Sequence, residues 1–184
     1  MKSFFRDIVV TTLLALAIFF ALQATLQSFV VVGNSMEPSF WQGQRLLVNR
    51  VAYFFAEPER GDVIIFHAPN RARADYIKRV IGLPGETIEI REGMVYIHSG
   101  TKVLPLKEPY LKDVPAYTFR SGKIPEGEYF VLGDNRNNSN DSHSGWLVQR
   151  EEIIGKAWVS VWPLEQWGLA PNYSSYGTIS AVNK

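Results

Sequence analysis

Between Asp7 and Glu37 the chain carries no charged residue, and from Ile8 to Leu22 its only polar side chains are Thr11 and Thr12. Crossing a hydrocarbon core about 30 Å thick takes roughly 20 helical residues at about 1.5 Å each. Residues 8–28 meet that length, so a transmembrane helix is expected there. The competing reading is a secretory leader removed on export, because Lys2 and Arg6 form a basic stretch ahead of the apolar run. Against it, the small-x-small match Ala15-Leu16-Ala17 lies inside the run, and Gln23-Ala24-Thr25-Leu26-Gln27 closes it without a cleavage pattern. A retained anchor fits better. Lys2 and Arg6 precede the segment, so the positive-inside tendency puts residues 1–7 in the cytoplasm and everything after Val32 on the far side; Asp7 weighs little in that balance.

Beyond the anchor, residues 29–184 are enough for one domain with its own core. The formal net charge of +1 over 184 residues leaves no electrostatic footprint for nucleic acid. Zero cysteines remove disulfide frameworks, thiol nucleophiles and cysteine metal sites together.

This domain reads as mainly β. Val30–Val32, Leu46–Val48, Val63–Phe66, Tyr76–Leu83, Thr87–Ile90, Val95–His98, Glu128–Leu132 and Ala157–Trp162 are short β-favouring runs bounded by turn residues. Glu92-Gly93 marks a hairpin. No long amphipathic helical period follows residue 34, so a β-barrel-like or folded antiparallel sheet is expected rather than βαβ units. From Ser99 to Gly122 the pattern weakens, and Pro105, Pro109 and Pro115 are expected to break any strand, leaving a long surface excursion.

Ser35, in the turn Gly33-Asn34-Ser35-Met36-Glu37-Pro38-Ser39-Phe40, lies just past the anchor; it is a nucleophile only if a base serves it. Of the three histidines, His67 and His98 are expected to be solvated. Asp141-Ser142-His143 puts acid, hydroxyl and imidazole together, but adjacency in sequence is not the geometry of a triad. Lys78 offers another route. Strand alternation sends Tyr76, Lys78 and Val80 to one face and Ile77, Arg79 and Ile81 to the other. A lysine sharing an apolar face can lose its proton near neutral pH; a strand lysine with its head in water cannot.

Three blocks occur in order behind the anchor: residues 33–40; Arg60-Gly61-Asp62-Val63 with Tyr76-Ile77-Lys78-Arg79-Val80-Ile81-Gly82-Leu83-Pro84-Gly85; and Gly133-Asp134-Asn135-Arg136-Asn137-Asn138-Ser139-Asn140-Asp141-Ser142. Together they closely resemble bacterial type I signal peptidases, or leader peptidases, and the single anchor is similar to the shorter Gram-positive type. The resemblance implies a membrane-bound serine endopeptidase that cuts signal peptides from exported preproteins after small residues, through an acyl-enzyme and without metal or other cofactor. It implies Ser35 as nucleophile and Lys78 as general base, with Ser139 orienting the amine and Asp134, Asn135, Arg136 and Asp141 holding the loop that carries it. The preprotein would add as a strand beside residues 31–35 and 75–78. Val31, Gly33, Met36, Phe40 and Tyr76 would then form the substrate pockets, the alternative for the apolar four being ordinary core packing.

Two positions depart from the family pattern. His143 stands where arginine is common, which puts in doubt the charge pair bracing Asp141, and Gly33 replaces a serine that some relatives use as an oxyanion donor. Trp41, Tyr53, Phe54 and Phe55, and with less support Trp162 and Trp167, are candidates for contact with membrane lipid or for the core. The competing functions are a Ser-Lys protease that cleaves itself or one partner, and a silent membrane-tethered binding module. Ser99-Gly100-Thr101-Lys102 matches a serine-x-x-lysine spacing but sits in a turn, and residues 135–141 lack the glycine and glutamate of a calcium loop.

Overall fold

The computed structural model describes residues 2–69 and 74–173. Helix α1 (Lys2–Thr25) contains a 22-residue apolar span, Phe4–Thr25, with mean hydropathy 2.2. Its described side chains from Phe4 to Ala24 are all exposed, as suits a helix whose apolar surface is solvated by lipid. The helix ends at Thr25, short of the expected Ser28, because Leu26–Val30 forms strand β1 instead. Strand β1 pairs with β2 (Arg45–Asn49) from Leu26↔Asn49 to Val30↔Arg45, and Arg50 N donates to Thr25 O at 2.9 Å. Helix therefore passes into sheet with no linker. Val31 and Val32, read from sequence as strand, lie just beyond it.

Ten further strands complete the domain: β3 (Val63–His67), β4 (Asp75–Gly82), β5 (Thr87–Arg91), β6 (Met94–Ser99), β7 (Lys102–Pro105), β8 (Phe119–Arg120), β9 (Glu128–Leu132), β10 (Val148–Gln149), β11 (Ile153–Trp162) and β12 (Gly168–Leu169). They form two antiparallel sheets, one in the order β1-β2-β11-β3-β4-β9-β10 with β12 on β11, the other β7-β6-β5-β8. Mainly β with antiparallel pairing is as expected; the hydrogen-bonded order of the larger sheet runs open from β1 to β10.

Residue parity explains how the layers pack. On β3, Val63 and Ile65 enter one core with Val31, Met36, Phe40, Leu46 and Val48, while Ile64 and Phe66 enter another with Val80, Tyr129 and Val131. That is why this strand is a continuous apolar run rather than an alternating one. The smaller sheet alternates, burying Ile88, Ile90, Val95 and Ile97 against Ile81, Phe130 and Leu132.

The excursion 99–122 is not strandless, contrary to expectation. Residues Lys102–Pro105 form β7 and Phe119–Arg120 form β8. Pro105 closes an edge strand, where its missing N–H breaks no central ladder. Ser99–Lys102 is the turn of the β6–β7 hairpin. His98 is likewise not solvated: it is partly buried with Nε2 2.7 Å from a Glu89 carboxylate oxygen, whereas His67 is exposed. The aromatic cluster divides. Tyr53 is core and its hydroxyl donates to Asp62 at 2.8 Å, while Phe54, Phe55, Trp41, Trp162 and Trp167 are exposed.

The two sheets are joined by a buried ion pair. Arg60, in the turn before β3, donates to the Glu86 carboxylate at 2.6 and 3.0 Å and also to Ile81 O; Glu86 immediately precedes β5 and further accepts from Leu83 N. Both side chains are under a tenth exposed. Glu86→Ala strands the guanidinium, and a loss of about 3–5 kcal/mol is expected. The denaturant midpoint of the detergent-solubilised chain measures it, and a midpoint equal to wild type would mean the pair does not hold the sheets together.

Candidate active site

The segment after β1 folds back on itself, with Val31 N donating to Gln44 O and Gly43 N to Val31 O. Inside it, hydrogen bonds from Glu37 N to Asn34 O and from Phe40 N to Met36 O make a helical turn. Met36 and Phe40 are one turn apart, so both point into the core, each 1% exposed, and Ser35 is left half-buried beside them. Among the described residues the Ser35 N–H has no acceptor. Gly33 has φ +83°, a backbone that glycine adopts freely and serine only at a cost.

Lys78 comes from β4, where it pairs with Ile64 across the sheet. Alternation holds locally: Lys78 Nζ is 5.4 Å from the Tyr76 ring on the same face. The side chain is 4% exposed, and Nζ donates to Ser35 Oγ at 2.7 Å and to Ile77 O at 3.0 Å. Burial pulls the amine from its ordinary value near 10.5 down to about 8, against the opposing carboxylates of Asp141 and Asp134. About a tenth of the molecules then carry a neutral amine at pH 7.

The loop after β9 braces this pair. Asp134 takes two hydrogen bonds from Arg79, at 2.8 and 2.6 Å, with neither side chain exposed. Asn135 N donates to Ser35 O at 3.0 Å and Asn135 Nδ2 to Asn34 O at 3.1 Å, tying the loop to the serine turn. Arg136 Nε donates to Gly133 O, and its other nitrogens reach Glu108 at 2.8 and 2.5 Å. Asp141, fully buried, accepts from Gly133 N at 2.9 Å and faces His143 Nδ1 at 2.6 Å. Histidine thus occupies the bracing position by Asp141, and that hydrogen bond raises the His143 pKa. Ser142 Oγ instead accepts from Val131 N, so residues 141–143 do not assemble into a triad.

Ser139 departs from its expected contact. Its Oγ is buried and has no hydrogen-bond partner among the described residues, while the Lys78 amine spends its contacts on Ser35 and the Ile77 carbonyl. Ser139 lies instead against Gly133, where an added Cβ would come within 2.3 Å of its Oγ and 2.4 Å of Ser35 O.

A groove of about 370 Å³ opens over Ser35 and Lys78. Val31, Gly33 and Tyr76 line it as expected. Met36 and Phe40 do not, because the helical turn commits them to the core beneath. Phe29, Leu46, Ile65 and Ile77 complete the walls; nothing in their local sequence distinguishes them, since strand pairing brings them together. Arg79 and Glu108 carry no local signal for the site: the first lies on the far face of a strand and the second in the excursion, and only folding brings them to Asp134 and Arg136. Strand β9 pairs with β4 only from Arg79 onward, so Asp75–Lys78 borders the groove without a β9 neighbour.

A hydroxyl hydrogen-bonded to an amine whose pKa burial lowers, both lining an open groove, is a pair that can deliver an activated oxygen to a bound carbonyl. The family model described as "Signal peptidase, peptidase S26" matches residues 3–162. A probable signal peptidase I-1 of Synechocystis sp. is 38% identical over 160 residues, covering 83% of this chain and 80% of its own. A signal peptidase I of Leptolyngbya laminosa is 41% identical over 145 residues, covering 75% and 70%. Signal peptidase IB of Staphylococcus aureus is 34% identical over 157 residues, covering 76% and 79%. The chain belongs to the signal peptidase family, peptidase S26, and is a peptidase of that family.

Gly133→Ala should lower the peptidase rate about 100-fold, because the new Cβ must push the loop off the Ser35 backbone by a distance on the order of 1 Å. Steady-state kcat/KM on a peptide substrate checks this, and a fully active variant would show that the present spacing is dispensable.

Proposed function

We propose that this chain is a membrane-anchored serine endopeptidase that removes N-terminal signal peptides from exported preproteins, with Ser35 as nucleophile and Lys78 as general base. The observation that carries the reading is the 2.7 Å hydrogen bond between Lys78 Nζ and Ser35 Oγ, made by an amine that burial brings close to neutrality.

Neutral Lys78 takes the Ser35 proton as Oγ attacks the scissile carbonyl, and the Ser35 N–H donates to the oxyanion. The resulting lysinium protonates the departing amine, leaving an acyl ester on Ser35. Lys78, neutral again, then takes a proton from the water that hydrolyses the ester and returns it to Oγ. Asp134, Asn135, Arg136 and Asp141 hold the loop, and Ser139 fills the space beside Gly133. The φ of Gly33 supports a backbone without a serine side chain as oxyanion donor there.

The preprotein lies extended between residues 31–35 and 75–78, and its alternate side chains enter a groove walled by Val31, Leu46, Ile65 and Ile77. Those branched side chains leave room for small residues at the cut. Helix α1 crosses the bilayer once with residues 1–7 in the cytoplasm, and residues 29–184 work outside it. Because α1 runs straight into β1, whose Phe29 and Val30 line the groove, the cut is made on the side of the domain that joins the helix. Phe54 and Phe55 follow β2 beside that junction and enter lipid.

Ser35→Ala and Lys78→Met should each abolish cleavage of a preprotein with a small-x-small site by the detergent-solubilised chain; wild type that binds the preprotein and leaves it whole would sink the proposal. The base is the neutral amine, so activity is lost as pH falls through about 8. The rate should rise about fivefold from pH 7 to pH 8 and level off about one unit above that. A limb titrating like an ordinary histidine would point to His143 instead.

A further inference from the structure

Between β7 and β8 the excursion crosses the loop at 133–141 and holds it at several points. Ala116 N donates to Asn137 Oδ1 and Asn137 Nδ2 donates to Val114 O. Tyr117 stacks on His143 at 4.6 Å between centroids, and the Arg79 guanidinium lies 4.1 Å from the Tyr110 ring centroid. The one carboxylate that the excursion brings to the loop is Glu108, 6% exposed, which grips Arg136, not exposed at all, through both of its oxygens and takes a further hydrogen bond from Tyr110.

We infer that Glu108 is a positioning residue for the Ser35–Lys78 pair: through Arg136 it fixes the loop that braces Ser35 and sets how much of that loop's negative charge Lys78 feels. The inference rests on the proposed roles of Ser35 and Lys78. Arg136 donates to Gly133 O, and the next residues along, Asp134 and Asn135, hold Arg79 and the Ser35 carbonyl. A guanidinium buried at that point needs a counter-charge. With Glu108 present it has one outside the loop. Without it, the remaining acid in its field is Asp134, which already serves Arg79.

Asp134 and Asp141 are the groups that oppose deprotonation of Lys78. The other charged or titratable neighbours are accounted for: His143 pairs with Asp141, Tyr110 faces Glu108, Arg136, Arg79 and Asp134, and Tyr117 faces Asp141, Arg136 and Glu108. Removing the charge of Glu108 leaves Arg136 uncompensated beside Asp134, which offsets the pull of that carboxylate on the amine and favours its neutral form. Removing the charge of Arg136 does the reverse.

The test measures kcat and KM against pH for the full chain in detergent, on a peptide spanning a small-x-small site, in wild type, Glu108→Gln, Arg136→Gln, the double variant, Glu108→Asp and Ser35→Ala. Glu108→Gln should lower kcat about tenfold with KM changed less than about twofold, and move the pH midpoint down by about half a unit. Arg136→Gln should move it up, and the double variant should return it to the wild-type midpoint. A purely structural tie would change the folded fraction and leave both midpoints where they are. Wild-type kcat and midpoint in Glu108→Gln, or a midpoint that the double variant fails to restore, overturns the inference. If Glu108→Gln does not fold, Glu108→Asp keeps the charge and shortens the reach: a lower kcat at an unchanged midpoint supports the inference, and wild-type kcat overturns it. Ser35→Ala separates the two levels, since cleavage that survives it defeats the proposed function itself, whereas its loss leaves the other variants to report on Glu108 alone.

Discussion

The desolvation of one amine governs the rest of the site. Lys78 is 4% exposed on a strand whose neighbours are apolar, and that burial brings its pKa down to about 8 in spite of two carboxylates acting the other way. An exposed lysine would be neutral in only about one molecule in a few thousand at neutral pH, so the proposed role of the amine as a base rests on its burial. The sheet therefore does more than support the groove: β3, paired with β4 at Ile64↔Lys78, and the turn that carries Ser35 exclude the water that would otherwise hold the amine charged. The same exclusion raises the cost of every other charge nearby.

The surrounding ions are arranged to meet that cost. Arg79 with Asp134, Arg136 with Glu108, and His143 with Asp141 pair each charge with an opposite one or with a titratable ring at hydrogen-bond distance. Buried pairs of this kind contribute little net stability compared with apolar packing, yet losing one partner is expensive. Their geometric effect is to lock a loop that has little regular structure of its own. Asp134, Asn135 and Arg136 bond to β4, the serine turn and the excursion, and Asp141 joins Gly133 to His143 within the loop, so the segment between β9 and β10 is held by three outside ties and one internal tie rather than by a ladder.

Legibility differed by range. The β2, β3, β5, β6 and β9 strands follow from runs of β-branched and aromatic residues between turn signals, and their ends lie within a residue or two of where the sequence puts them. Met36 and Phe40 show the limit. They are apolar and adjacent to Ser35, which reads equally well as pocket or core, and only the helical turn at 34–40 decides that they face inward. Helix α1 stops at Thr25 although apolar residues continue, because backbone pairing with Arg45–Asn49 competes successfully for Leu26–Val30. Strand β7 is masked by Pro105, which an edge strand tolerates, and β8 by its length of two residues.

The sequence by itself determined the long apolar helix, the mainly β character of the rest and the short list of residues able to do chemistry, because those depend on hydropathy, periodicity and side-chain type within a few positions. Tertiary structure decided which of these residues meet. Ser35 and Lys78 are 43 positions apart and touch at 2.7 Å because β4 runs beside the turn that follows β1. Arg136 and Glu108, 28 positions apart, pair because an irregular excursion folds back over a loop. Neither contact follows from local preference. Each depends on the register of strands and the path of loops, set by how the whole core packs, and the pKa of Lys78 depends on how completely that packing removes water.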